Sequence, residues 1–417
     1  MTASWPGESS GLTDHGYHPG VPEPLRAALL LSTNYFEDFY GEGLGLSRAE
    51  YLESYRNDWS WDWCEMLAHE GVRCSIYVPT VERAQLAQTA DGFDVRFLPL
   101  GSLATPWVRF RTLNRTPVGR YLGQVANSGA FVRPLRGALA TDRIEVLCVQ
   151  EYWTARFDLL ARALSIPIVA VDQGVPDRRE IKLLKRGAFA RTAAVVVQTR
   201  REAAKVARFG GRPTRIPNAV DAELFAPEEK GDPPERPTVL CVGRLHDAQK
   251  RLSDVIRAVA QLPTDWRLEI AGSGPDREML QRLAGSLGLG DRITFLGFVS
   301  EAHDLRALYR GASVLAIPSA YEGLPMVLLE AMSCATPPVG SDIAAIAEVI
   351  SDGEDGLLVP VGDPGRLAAA LLAAVPERHR LGAAARRKVT AEYDQRVVAP
   401  RLAGLLAAAA RGEPWSR

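Results

Sequence analysis

The sequence predicts an α/β protein of two units, each a parallel sheet with helices on both faces. Three observations carry this. Short apolar runs of strand length alternate along the chain with amphipathic stretches of helical period, the pattern in which helices connect parallel strands. The 417 residues exceed one ordinary core and suit two domains of about 200 residues. A charged, proline-rich segment over residues 226–236 interrupts the alternation, as an exposed, semi-rigid linker does.

The elements follow in order. Residues 1–24, rich in Gly, Pro and Ser, read as a loose tail. The first unit, 25–225, begins with a strand over 25–32, followed by a polar and aromatic segment holding Gly41, Gly43 and Gly45, and then a helix ending near His69. Further apolar runs at 74–78, 93–98, 144–149, 166–171 and 194–198 predict its remaining strands. The second unit covers 237–390, and a helical segment, 391–417, closes the chain. Within the second unit, the run 314–318 predicts a buried strand that feeds a helix starting near Pro325.

Composition narrows the function. A formal net charge of −1 with 47% hydrophobic residues gives a globular chain with no overall drive toward nucleic acid. The five cysteines (Cys64, Cys74, Cys148, Cys241, Cys334) show no CxxC spacing and sit mostly in apolar runs, so they read as reduced core thiols in a cytoplasmic setting. No apolar run reaches the roughly 20 residues of a membrane span, and no signal-peptide pattern opens the chain.

Glu322 and Glu330 stand either side of Gly323-Leu324-Pro325, where the predicted strand meets the predicted helix. Gly323 permits the turn, and Pro325 suits a first helical position because it has no N–H to leave unpaired. The unpaired N–H groups that follow, at Met326 and Val327, carry the positive end of the peptide dipoles and attract an anion such as a diphosphate. Glu330 then lies roughly 8 Å along the helix axis. Carboxylate, anion site and carboxylate match the order of sugar, diphosphate and ribose in a nucleotide sugar, whose hydroxyls carboxylates can accept from. Two glutamates on a solvated face give the same spacing; the Gly-Leu-Pro turn and the apolar strand before it favour a site.

The run Glu322-Gly-Leu-Pro-Met-Val-Leu-Leu-Glu330-Ala-Met-Ser-Cys-Ala resembles the signature of family 4 retaining glycosyltransferases, which have the GT-B fold of two facing Rossmann-like domains. Val242-Gly-Arg244 with Lys250 downstream, Leu268-Glu-Ile-Ala-Gly272-Ser-Gly274, Ile293-Thr-Phe-Leu-Gly297-Phe298-Val299 and Glu348 through Pro364 are similar to the family's other segments, in order. Pro217-Asn218-Ala-Val220-Asp221 resembles the segment with which the family closes its first domain. The resemblance implies a donor site in the cleft between the domains. Arg244 and Lys250 would hold the diphosphate, Glu330 the ribose, and Glu322 the transferred sugar, either as nucleophile or as an orienting group. Gly272, Gly323, Leu324, Met326, Val327, Phe298 and Val299 would surround the donor. Front-face transfer with retention, the leaving phosphate drawing the acceptor proton, needs neither metal nor cofactor. The acceptor, a glycan, lipid or small molecule, falls to the first domain.

Departures and open readings accompany this. Gln173 stands where the family commonly has His, so acid–base work there is not expected, although its amide can meet a sugar hydroxyl. Ala344-Ala345 replaces a glycine pair. These two features motivate an alternative, a catalytically silent sugar-nucleotide-binding subunit; a sugar-nucleotide epimerase is another. Gly41, Gly43 and Gly45 read either as a phosphate or acceptor loop or as an ordinary turn. Trp59, Trp61 and Trp63 read either as sugar or lipid stacking or as core. Residues 96–215 carry 22 Lys/Arg against 8 Asp/Glu, while residues 1–95 carry 5 against 15. The basic stretch Arg178–Arg186 reads either as a solvated face or as a surface toward a phosphorylated lipid acceptor or an anionic membrane, in peripheral contact at the inner membrane face.

Overall fold

Strands buried on both faces build two sheets. The computed structural model describes residues 23–31, 35–42, 45–55, 59–100, 117–172, 184–228 and 236–415. The first sheet comprises β1 (Leu25–Leu30), β2 (Val72–Thr80), β3 (Gln85–Gln88), β4 (Asp94–Pro99), β5 (Val146–Gln150), β6 (Ile168–Val171), β7 (Ala194–Val197) and β8 (Pro213–Arg215), in the order β3-β4-β2-β1-β5-β6-β7-β8. All its pairings are parallel except that of β3 with β4. The short edge strands β3 and β8 were not expected: Gln85–Gln88 is mostly exposed and Pro213–Arg215 has only three residues, so neither carries an apolar run.

The second sheet holds β9 (Thr238–Val242), β10 (Arg267–Ala271), β11 (Ile293–Gly297), β12 (Val314–Ile317), β13 (Pro338–Ser341) and β14 (Leu357–Val359), ordered β11-β10-β9-β12-β13-β14 and parallel throughout. Order reverses beside β9, which opens a crevice at the carboxyl ends of β9 and β12. Each sheet is covered on both faces. One face of the first packs Leu29, Ile76 and Val146 with Trp61, Trp63 and Leu402; the other packs Leu30, Tyr77 and Leu147 with Phe131 and Phe157. Trp61 and Trp63 are therefore core residues, with Trp59 packed against them. All five cysteines are buried free thiols.

The chain passes from the first core to the second just after Ala219. Val220 and Phe225 join the second core, where Phe225 meets Tyr309 edge-on at 6.1 Å, so the chain leaves the first domain before residue 225. It returns through the helix Gln395–Ala410, whose Val398, Leu402 and Leu406 complete the first core. The two crossings lie side by side: the Val220 N–H donates to Tyr393 O at 2.9 Å and the Gln395 N–H to Val220 O at 3.0 Å.

Candidate active site

Glycines set the strand ends of the second sheet. The register pairs Val242 with Ala271, which brings Gly243 (φ +140°) beside Gly272 (φ +145°). A Cβ on Gly272 would stand 1.9 Å from the Gly243 carbonyl oxygen, and one on Gly274 would stand 2.5 Å from that of Leu245. Only glycine allows this approach. Backbone bonds lace the ends together: the Gly243 N–H donates to Ala271 O (2.9 Å), Gly272 N–H to Gly297 O (2.6 Å) and Leu245 N–H to Ser273 O (2.8 Å). Past Gly297 (φ +83°), Phe298 is 62% exposed, an aromatic face left in water at the carboxyl edge. Val299 beside it is half-buried.

On that floor the polar groups converge. Arg244 and Lys250 line a small cleft with Gly243 and Ser319. Arg244 is exposed, whereas Lys250 Nζ donates to Glu322 Oε1 at 2.7 Å, the two side chains being 17% and 7% exposed. The Ser319 hydroxyl donates to the same Glu322 oxygen at 2.6 Å. The short helix Asp247–Lys250 that presents Lys250 is tied to the Glu322 loop, because the Ala320 N–H donates to Gln249 O at 2.7 Å. Glu322 is thus held in place before any ligand arrives.

The helix Met326–Ser333 starts one residue later than expected. Pro325 is its N-cap, extended at φ −73°, ψ 122°, and no side chain caps it. An extended backbone there lets the chain turn sharply out of Gly323-Leu324. Among the described residues the Met326 and Val327 N–H groups have no acceptor, leaving the positive end of the helix open to an anion. One turn on, Glu330 accepts from the hydroxyl of fully buried Tyr309 at 2.7 Å. Burial pushes the Glu330 carboxyl up, with the Tyr309 bond pulling it back.

The first domain reaches this turn directly. Asn218 Nδ2 donates to the Leu324 carbonyl at 3.0 Å, and Asn218 Oδ1 accepts from Gln198 Nε2 at 2.8 Å. Glu348 faces the first domain too, pairing with Arg215 (2.6 Å) and Arg200 (3.6 Å). The structure therefore gathers Arg244, Lys250, Glu322, Gly323, Leu324, Met326, Val327 and Gly272 in one region, with Glu330 one turn along its helix. Gly41 lies in a π-helical turn, Glu37–Glu42, anchored through Glu37 to Arg48 (3.0 Å) and Thr80 (2.6 Å). No hydrogen bond joins Gly41 or Gly45 to Arg244, Lys250, Glu322 or Glu330 among the described residues, and Gly43 and Gln173 lie outside those residues. Sequence reasoning missed Ser319, Tyr309 and Gln198. Ser319 stands three residues before Glu322 and was within reach of a turn argument; Tyr309 and Gln198 come from distant elements and left no local signal.

Two parallel α/β sheets that meet across a cleft, with the polar cluster at the carboxyl ends of one, define a GT-B protein. Solved structures agree: the chain superposes on sucrose-phosphate synthase from Thermosynechococcus elongatus with a TM-score of 0.72, at 22% identity over 91% of this chain and 98% of that one. It superposes on Anabaena HepE in complex with UDP with a TM-score of 0.67, at 17% identity over 92% and 100%. Residues 224–388 match the family model described as glycosyl transferases group 1, and residues 60–224 match that of glycosyltransferase family 4. Together these span most of the chain, which belongs to this family. It is 39% identical to a phosphatidyl-myo-inositol mannosyltransferase of Mycobacterium leprae over 46% of this chain and 53% of that one. It is 31% identical to a D-inositol 3-phosphate glycosyltransferase of Geodermatophilus obscurus over 66% and 64%. The chain thus spans between about half and two thirds of the length of these curated relatives.

Proposed function

We propose that this protein transfers a sugar from a nucleotide-diphosphate donor to a hydroxyl acceptor with retention of configuration. The observation that carries the reading is Glu322, fixed by Lys250 and Ser319 beside exposed Arg244 and an uncapped helix start. A diphosphate seated between Arg244 and the Met326 and Val327 N–H groups gains negative charge as the glycosidic bond breaks, and fixed positive groups stabilise that charge. Lys250, already at the sugar end through Glu322, lies where it can share its charge with the leaving phosphate. Glu322 accepts from sugar hydroxyls, Glu330 from the ribose, and Phe298 offers a face for the base. The leaving phosphate draws the acceptor proton, so transfer needs no metal or cofactor; a strict requirement for added divalent cation would count against this mechanism.

The relatives' names support a phosphorylated, hydroxyl-rich acceptor of the inositol phosphate kind, free or lipid-anchored. The cationic surplus of residues 96–215 fits such an anion. Buried free thiols fit a cytoplasmic site of action. No helix among the described residues is long and apolar enough to cross a membrane, so contact with a lipid acceptor would be peripheral. Residues 178–183 of the basic stretch lie outside the described residues, and its Lys185 is fully buried against Asp158 at 3.0 Å and adds nothing to a basic surface; the helix Arg200–Arg208 carries further basic residues.

The test is a panel of nucleotide sugars, scored for binding and for nucleotide release with and without inositol phosphate or anionic vesicles carrying phosphatidylinositol. Acceptor-dependent release supports transfer. Donor conversion without acceptor would mean an epimerase, and binding without turnover a silent subunit. Arg244→Ala is expected to lower turnover by about a hundredfold with an unchanged melting temperature, since the side chain is exposed; unchanged turnover would remove Arg244 from the site.

A further inference from the structure

The hydrogen bond from Asn218 to Leu324 joins two domains inside the donor turn, away from the charged rim of their interface. Asn218 and Gln198 are 6% and 4% exposed. Their orientation is self-determined. A carbonyl only accepts, so the side of the Asn218 amide facing Leu324 O must be its NH₂, and its oxygen then faces the NH₂ of Gln198. Gln198 is held in turn: its backbone N–H donates to Glu202 Oε2 at 2.8 Å, and Glu202 also accepts from the Tyr152 hydroxyl. Tyr152 follows β5 at the carboxyl edge of the first sheet. A continuous chain of hydrogen bonds therefore runs from that edge, through Glu202, Gln198 and Asn218, to the carbonyl two residues after Glu322.

We infer that Asn218 is a positioning residue for the donor site, through which the first domain sets the Glu322-Gly-Leu-Pro turn. This rests on the reading of that turn as the nucleotide-sugar site. Leu324 is buried and immediately precedes the N-cap Pro325. A shift of its carbonyl moves the start of the helix, with its two open N–H groups, relative to Glu322, which Lys250 and Ser319 hold from the other side. Loss of the bond frees one end of the turn while the other stays fixed. Donor affinity then falls, because the diphosphate groups and the sugar carboxylate no longer match one rigid ligand.

Asn218→Asp tests this with an isosteric side chain that, when ionised, puts an acceptor against an acceptor. The charged clasp serves as control: Arg215→Ala removes the Glu348 pair at the same domain interface without touching the turn. The expected result is a rise of tenfold or more in donor KM, and in nucleotide-diphosphate Kd by calorimetry, for Asn218→Asp, against less than threefold for Arg215→Ala. All assays are run below the melting onset of each variant. Gln198→Met, which keeps the length but removes the donor that orients Asn218, is expected to raise KM by a smaller factor, and it stands in should Asn218→Asp not fold. Equal effects of the Asn218 and Arg215 variants would reduce the contact to general docking and overturn the inference, as would an unchanged KM in both Asn218→Asp and Gln198→Met. Wild-type protein that binds no nucleotide sugar would instead remove the functional reading itself.

Discussion

The two sheets end alike, at the carboxyl edge of parallel strands facing a shared cleft, yet they are built under different constraints. In the second domain the strand ends touch backbone to backbone, so residue types are dictated: Gly272 and Gly274 have no room for a Cβ, and Gly243 adopts a φ that L side chains avoid. In the first domain the segment after β1 is held by side chains, with Glu37 bonded to Thr80, to the Val81 N–H and to Arg48. Such anchors can be made by many residue types. Backbone-built sites leave a fixed sequence pattern, whereas side-chain-built ones leave little.

Gly272→Ala should be the sharpest blow to the second domain. Its methyl would fall 1.9 Å from the carbonyl oxygen of Gly243, a residue tied across the strands by its N–H bond to Ala271 O, so the ends of β9 and β10 must part. The expected cost is on the order of 4 kcal/mol, read as a lowered denaturant midpoint, together with loss of nucleotide binding. A variant that melts and binds like the wild type would show that these strand ends can slide.

Glu330→Gln separates the demands of folding from those of function inside the same site. Burial raises the Glu330 carboxyl above its ordinary range, so the folded state holds this proton more tightly than the unfolded chain does. This group's contribution to stability therefore falls as pH rises from below the ordinary carboxylate range through the raised value. Gln removes the charge and keeps an oxygen to accept from Tyr309. The ligand-free variant should be more stable than wild type near neutral pH, by about 1 kcal/mol, with the gap closing as pH falls below that range. On the proposed ribose-binding role of Glu330, donor affinity should drop about tenfold, because a charged acceptor is lost. Paired melting curves across pH and nucleotide titrations check both; a variant less stable than wild type at neutral pH would mean that Glu330 is not under electrostatic strain.

Much of the fold was legible in the sequence because its central strands are buried on both faces and read as uninterrupted apolar runs, as in Ile168–Val171 and Val314–Ile317. The Glu322-Gly-Leu-Pro turn was legible from its residue types, down to the open N–H groups that follow it, although Pro325 proved to be the cap. Apart from Ser319 and the short edge strands β3 and β8, what escaped was non-local. Tyr309 reaches Glu330 from a neighbouring helix, and Gln198 and Asn218 reach Leu324 from the other domain; no spacing rule links such pairs. The docking of Phe225 in the second core left no local signal because that core is assembled from sequence that follows it.

Gly41→Ala probes the first domain with the gentlest change. Its φ is not positive, and a Cβ there would meet only the Phe36 carbonyl oxygen at 3.9 Å and Glu37 Cβ at 4.0 Å, ordinary contacts. A methyl also reduces the freedom of the unfolded chain, so stability should stay level or rise by about 0.5 kcal/mol, with turnover within twofold of wild type. Gly45, at φ +73°, provides the internal contrast, since alanine there should cost roughly 1 kcal/mol of backbone strain. If Gly41→Ala melts like the wild type yet loses tenfold or more in turnover, its backbone lies against a ligand. The first domain would then have a backbone-built site of its own, and the contrast between the two sheets would fail.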